Sequence, residues 1–183
     1  MAAQCATEVD DNPLWNFALA FYASKDAQEL LLKLQNDYQQ DTLLVLTALW
    51  LASEGESWRL ADAQLEDYRH WRQHVIWSLR ATRKAINKDN DSAEQLALRQ
   101  QIQKDEIRAE QIALHQLYGL YAAVSGNQAP TTVDLQQTLS NLFSQAELGQ
   151  TEFGQTGSDQ TADIKKEALE PLFQQLADLL VSQ

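Results

Sequence analysis

The chain of 183 residues lacks most of the features that stabilise small secreted or strand-rich proteins. It has one cysteine, Cys5, so no intrachain disulfide can form, and its place near the chain start argues against a catalytic thiol. Only 3 prolines and 6 glycines are present, so few residues break helices. No apolar run reaches the roughly 18 residues of a membrane span. These absences exclude a disulfide scaffold and favour an all-helical protein.

Positive charge is also scarce. The chain has 26 acidic and 14 basic residues, a net charge of −12. Such a balance disfavours nucleic acid as a partner, because phosphates are repelled, and it predicts no attraction to anionic membranes. The first residues, MAAQCATEVDD, have neither the basic start nor the apolar stretch of a signal peptide. We therefore expect a cytoplasmic protein without membrane contact.

Three short helices are predicted in the first part of the chain. Each follows a residue that can cap it: Asn12 for the first, Ser24 or Asp26 for the second, and Asp41 for the third. The third helix, TLLVLTALWLAS, is apolar on nearly every side, which predicts a helix that is buried all round. Gly55 follows it, in the position where glycine commonly ends a helix.

Two long helices are predicted next, from Asp62 to Lys88 and from Ala93 to Val124, because apolar residues keep helical spacing along both. The polar segment KDNDS between them is short, so the pair should form an antiparallel hairpin. Further on, VDLQQTLSNLFSQ predicts a moderate helix and LEPLFQQLADLLVSQ an amphipathic one. The expected fold is an all-α helical bundle with a long antiparallel hairpin and a C-terminal amphipathic helix.

Composition suggests four regions in this fold. They are a disordered N-terminus (1–11), a helical bundle (12–146), a flexible linker rich in Gly, Gln and Thr (147–162) and the amphipathic helix (163–183). Pro171 is expected in the first turn of that last helix, where proline is tolerated. The amphipathic helix has two possible roles, since it can dock on its own bundle or bind a partner in trans.

The stretch NPLWNFALAFYAS concentrates aromatic residues and allows two interpretations. Trp15, Phe17, Phe21 and Tyr22 could form an aromatic cage for a ligand, or they could be part of a hydrophobic core. A cage for a cation needs polar or acidic company, and Asn16 is the only polar residue inside this helix. The core interpretation is favoured, and the apolar residues fall on so many faces that little of the helix should contact water.

Basic residues are concentrated in the fourth predicted helix. Between Arg59 and Lys88 there are seven basic residues and three acidic ones, a net charge of +4 in a strongly acidic chain. Five of them define a possible basic ridge that binds an anion or a protein partner: Arg69, Arg72, Arg80, Arg83 and Lys84. Suitable ligands are phosphate, a nucleotide, an RNA backbone or an acidic helix, because guanidinium groups bind such anions through paired donors.

Internal pairing is the alternative role of the ridge. Three acids of the fifth helix lie across the hairpin: Asp105, Glu106 and Glu110. If the hairpin turns near residue 90, these acids are level with positions near 70 and 74. By this estimate Arg80, Arg83 and Lys84 face no acid, which makes them the strongest candidates for an external anion.

Two weaker patterns suggest metal-dependent chemistry. Glu66, His70 and His74 recur at one-turn spacing, and two histidines one turn apart can chelate zinc, with Glu110 as a further ligand across the hairpin. The alternative is a pair of solvent-facing or salt-bridged histidines. In DYQQD, Asp37 and Asp41 have the DxxxD spacing that helical prenyl-diphosphate enzymes use for magnesium, although Asp41 is equally suited to cap a helix.

Four stretches carry a family resemblance: NPLWNFALAFYAS, DTLLVLTALWLAS, HWRQHVIWSLRATRKAIN and RAEQIAL. Over about residues 12–120 the chain resembles a proteobacterial family of uncharacterised all-helical proteins, a domain of unknown function. The resemblance implies a helical fold and no particular activity. We therefore expect a non-enzymatic module, without a cofactor, that binds an unknown protein partner or an anion through the basic ridge. The alternative is a metal- or diphosphate-dependent helical enzyme that uses the histidine or aspartate pattern.

Overall fold

The computed structural model describes residues 12–56, 58, 60–89, 92–124 and 159–181, and in these ranges all regular secondary structure is helical, as predicted. The helices are α1 (Pro13–Ala23), α2 (Lys25–Asp37), α3 (Thr42–Ser53), α4 (Glu66–Trp71), α5 (Trp77–Ala85), α6 (Ala93–Val124) and α7 (Asp159–Val181). A 3-10 turn (Asp62–Leu65) precedes α4, and a π-helical turn (Arg72–Ile76) joins α4 to α5. None of the described helices combines the length and apolarity needed to cross a membrane.

The helices belong to two compact units. One unit contains α4, the π-helical turn, α5 and α6, together with the first residues of α1. The other contains the rest of α1 with α2, α3 and α7. This division groups α7 with α2 and α3, although it is far from both in the sequence.

Polar side chains begin the short helices as predicted. The amide oxygen of Asn12 accepts hydrogen bonds from the backbone N–H groups of Leu14 at 2.9 Å and Trp15 at 3.2 Å. Ser24, not Asp26, caps α2, and its Oγ lies 3.5 Å from the backbone nitrogen of Ala27. Asp41 caps α3 by accepting from the first free N–H groups of that helix. Each cap satisfies donors that have no partner within the helix.

Helix α1 is buried along one side only. Leu14, Ala18 and Phe21 are buried, whereas Leu19 is 51% exposed. The expectation that little of this helix contacts water is therefore wrong, because the apolar residues on its outer side remain at the surface. The rings of Phe17 and Phe21 stack with their centroids 5.6 Å apart, and Phe21 is fully buried. This packing is that of a hydrophobic core and leaves no space for a ligand between these two rings.

Helix α3 is buried on all sides, which confirms the prediction from its apolar sequence. Its first ten residues, from Thr42 to Leu51, are all buried. Thr47 places a polar hydroxyl group in this apolar environment. The hydroxyl is satisfied because it donates a hydrogen bond to the backbone oxygen of Leu43 at 2.7 Å. After the helix, Gly55 has a φ of +72°, a left-handed conformation that glycine adopts without strain.

Helix α7 packs against α2 and α3 within the second unit. It starts at Asp159, so residues 159–162, which were expected in a linker, are helical. Pro171 consequently lies inside the helix and not in its first turn, where it leaves one backbone carbonyl without its helical donor. The other residues of the predicted linker lie outside the described residues, as do the predicted disordered N-terminus and the moderate helix near residues 133–145.

The hairpin of the first unit has the predicted antiparallel form, and α6 has the predicted bounds. Its other arm is not one regular helix. It passes from the 3-10 turn through α4 and the π-helical turn to α5, and it ends at Ala85, before the predicted Lys88. Because α4, the π-helical turn and α5 all contact α6, the irregular arm is packed along its length.

Candidate functional site

The centre of the predicted basic ridge is occupied by internal ion pairs. Arg80 donates from Nε to Glu106 at 2.8 Å and from Nη2 to Glu110 at 2.6 Å. Arg83 donates to both oxygens of Glu106, and the Nη2 contact is 3.3 Å long. We call these four residues the ion cluster. The prediction that Arg80 and Arg83 face no acid across the hairpin is therefore wrong.

The direction of helical side chains explains this error. The indole nitrogen of Trp71 donates to the backbone oxygen of Ala109 at 3.0 Å, which matches the register expected for a turn near residue 90. Side chains on a helix lean towards its N-terminus, so Arg80 reaches back along α5 and Glu106 reaches back along α6. In an antiparallel pair these two directions converge. Long side chains therefore meet although their Cα atoms are not level.

The ion cluster shifts the pKa of its two carboxyl groups in opposite directions. Burial opposes ionisation of Glu106, but hydrogen bonds from Arg83 and Arg80 outweigh it and lower the pKa below 4.5. For Glu110, burial is the largest influence and raises the pKa above 4.5, helped by the negative charge of Glu106. The hydrogen bond to Glu106 also raises the pKa of Arg83. Glu106 is thus the anion that holds the two arginines.

The remaining basic candidates are dispersed. Arg69 pairs with Asp62 at 2.5 Å at the surface, where such a pair contributes little to stability. Lys84 is exposed and forms no ion pair with any residue that the structure describes. Arg72 is turned onto an aromatic ring. The five ridge residues therefore do not form one continuous cationic surface.

The π-helical turn creates an aromatic contact that a regular helix would not make. The backbone N–H of Trp77 donates to the oxygen of Arg72, the hydrogen bond that defines a π turn. Residues five apart point in different directions on an α-helix, but one π turn brings them into line. The guanidinium of Arg72 accordingly lies 4.4 Å from the centre of the Trp77 ring. A cation at this distance is attracted to the face of the indole.

This contact lies on an exposed part of the helix. Trp77 is 41% exposed, whereas Tyr68 and Ile76 are almost completely buried on the other side. The exposed side also presents His70 and His74, whose ring centroids are 4.3 Å apart. We define the π-turn face by its five residues: His70, Arg72, His74, Trp77 and Lys84. Sequence patterns missed Trp77, although its place among polar neighbours at one-turn spacing was a usable signal.

The predicted metal and diphosphate residues do not converge. No group of three side chains able to hold a metal occurs among the described residues, which include all four candidates: Glu66, His70, His74 and Glu110. Glu110 binds Arg80 instead. Asp37 ends α2 and Asp41 begins the next helix, so their carboxylates are not one turn apart on a single helix. The described structure therefore brings neither set of residues together in the predicted arrangement.

The fold and the site together define an all-α protein that contains a helical hairpin with an exposed cation–aromatic face. Residues 13–117 match a family described as "Protein of unknown function (DUF2390)". The chain belongs to this family, and the match extends from α1 into α6 while leaving α7 outside. Searches of curated proteins and of solved structures found no match.

Proposed function

We propose that this protein is a protein-interaction module and that its π-turn face binds an acidic segment of a partner. The observation that carries the proposal is Trp77, which is 41% exposed and covered on one side by Arg72. Tryptophan and arginine are the residues most enriched among those that dominate binding energy at protein interfaces. Burying the exposed part of this ring against a partner would remove a large apolar surface from water.

The charge of the face supports an acidic partner. Lys84 lies on the exposed side of α5, and the two histidines lie on the exposed side around the π-helical turn. Glu66 and Asp67 precede them at the start of α4, so the cations of this face, Arg72 and Lys84, follow the acidic residues along the chain. In a chain with net charge −12, such a patch orients an approaching acidic segment towards itself.

The ion cluster limits what the same helix can bind. Arg80 and Arg83 are neutralised by Glu106 and Glu110, and their release would leave buried carboxylates unpaired. Binding of a phosphate or nucleotide by these arginines would therefore cost the free energy of breaking the ion pairs. An aromatic face flanked by few cations suits a protein surface better than a polyanion, which needs many cationic contacts.

Photo-crosslinking in cells tests the proposal. A benzophenone amino acid replaces Ala81, which is exposed one turn after Trp77, and in a control chain it replaces Leu98, which is 54% exposed on α6. We expect a discrete crosslinked protein from position 81 and none from position 98. Mass spectrometry should locate the crosslink in an acidic segment of the captured protein.

The Trp77→Ala variant provides the specificity test. It should reduce the crosslink from position 81 by about tenfold, because anchor residues of this kind contribute more than about 1.4 kcal/mol to binding. Circular dichroism should show an unchanged helical content, since the ring is 41% exposed and is not among the fully buried side chains. A crosslink that persists in Trp77→Ala, or that maps to a basic segment, would contradict the proposal.

A further inference from the structure

Within residues 169–181, the part of α7 whose side chains the structure describes, the buried residues have the spacing of a helix that docks into a groove. They are Leu169, Leu172, Phe173 and Leu176, all at most 6% exposed. Positions i, i+3, i+4 and i+7 are those by which an amphipathic helix inserts its apolar side chains into a partner. The intervening Glu170, Gln174 and Gln175 are exposed, so the polar side of α7 faces water. This part of the helix therefore has an apolar side that packs on the protein and a polar side that contacts water.

The surface beneath α7 is formed by α2 and α3, which we call the α2–α3 groove. Helix α2 contributes a stripe of three buried residues, Ala27, Leu31 and Leu34, and α3 is buried all round. Both helices lie within the matched family region, whereas α7 lies outside it. The family region thus contains an apolar surface that a segment from beyond its end covers.

The connection between α6 and α7 is 34 residues long. Helix α6 ends at Val124 and α7 begins at Asp159, so the connection is residues 125–158. A segment tethered in this way competes for its site at an effective concentration in the millimolar range. A free helix of equal intrinsic affinity is then excluded at ordinary protein concentrations.

We propose that the α2–α3 groove is a docking site for an amphipathic helix with large apolar residues at i, i+3, i+4 and i+7, and that α7 is its exchangeable, built-in occupant. A partner helix with this spacing binds when α7 is displaced. The groove is separate from the π-turn face, because it belongs to the other compact unit. The inference therefore does not depend on the proposed function.

A peptide exchange experiment with the full chain tests this inference. A protease recognition site is inserted between Gly154 and Gln155, and a fluorescently labelled peptide of residues 159–181 is added before and after cleavage. Cleavage removes the tether and leaves the native α7 as an ordinary competitor. Fluorescence anisotropy should show that cleavage strengthens the apparent affinity for the labelled peptide by about tenfold or more.

Two peptide variants separate specific docking from general hydrophobic binding. A peptide with Leu172→Glu and Leu176→Glu should not bind, because both changes place charge on the docking side. The matched control carries Gln174→Ala and Gln175→Ala on the exposed side and should bind like the parent peptide.

Several outcomes would overturn the inference. Equal binding before and after cleavage would show that the tether does not control access, and equal binding of the Glu-substituted peptide would show that the anchors are irrelevant. Absence of exchange after cleavage would show that α7 is a permanent part of the core. Loss of helical circular dichroism on cleavage would lead to the same conclusion. The Trp77→Ala chain should behave as the parent here, so that failure of this test is distinct from failure at the π-turn face.

Discussion

Helices α3 and α6 differ in the polar groups that they bury. The first ten residues of α3 are buried and almost all apolar, and its Thr47 satisfies its hydroxyl within the helix. Helix α6 buries Glu106, which is 5% exposed and is satisfied by Arg80 and Arg83 on the other arm of the hairpin. Apolar packing tolerates small shifts between helices, whereas a buried carboxylate that needs particular donors accepts one register. We expect α3 to contribute more stability and the ion cluster to fix the alignment of α5 on α6.

This difference also bears on the proposed binding surface. The arginines that look most suitable for an external anion in the sequence are used internally to hold the hairpin. What remains for a partner is the π-turn face, where Trp77 is exposed and Arg72 covers one side of its ring. The proposed binding therefore uses residues that the ion cluster leaves at the surface.

The largest expected effect tests the apolar side of the comparison. Leu49→Ala in α3 removes a fully buried side chain and should lower the free energy of unfolding by about 3 kcal/mol, through lost burial and the cavity that remains. Urea denaturation monitored by circular dichroism measures this change. The control Leu19→Ala, at a site 51% exposed, should cost less than about 1 kcal/mol. Equal losses for the two variants would show that α3 is not the main apolar contribution.

A smaller effect is expected from the ion cluster. Glu106→Gln keeps the size of the side chain but removes the charge shared by Arg80 and Arg83, so it should cost about 2 kcal/mol in the same assay. Asp105→Asn, at the exposed neighbouring position, should change stability by less than about 0.5 kcal/mol. If Glu106→Gln proved as mild as Asp105→Asn, the ion cluster would not hold the hairpin.

Sequence patterns correctly predicted the features that depend on residues close together in the chain. The caps at Asn12 and Asp41 follow from side chains that satisfy free N–H groups, and the burial of α3 follows from its uniform apolarity. Internal pairing of the basic helix was foreseen as an alternative, but its partners were not, because the reach of an arginine depends on side-chain direction across a hairpin.

The features that the sequence could not predict depend on tertiary packing. A π-helical turn inserts a residue without a marker in composition, so the contact of Arg72 with the ring of Trp77 could not be derived from regular spacing. The start of α7 was predicted too late in the sequence, because proline usually lies in the first turn of a helix. Here the helix extends on both sides of Pro171. The helix that contains this internal proline packs on α2 and α3.

The smallest expected effect comes from acidity and separates the two carboxylates of the ion cluster. The pKa of Glu106 is lowered in the folded protein, so its stabilising contribution is complete above about pH 4.5 and is lost as the pH falls through the lowered value. The pKa of Glu110 is raised, so the folded state takes up its proton more readily than the unfolded state. Its ionisation therefore costs stability as the pH rises through the raised value.

The variants Glu106→Gln and Glu110→Gln should consequently respond to acid in opposite ways. Below about pH 4.5 the parent loses the benefit of ionised Glu106, so the stability gap between the parent and Glu106→Gln should narrow. As the pH falls through the raised pKa of Glu110 towards about 4.5, the parent gains stability by taking up a proton that Glu110→Gln cannot take up, so the free energy of unfolding of the parent should rise relative to that of Glu110→Gln. Urea midpoints across this pH range measure both gaps. Parallel changes in the two gaps would show that both carboxylates have the same role, and the comparison between a charge that holds the hairpin and one that is merely tolerated would fail.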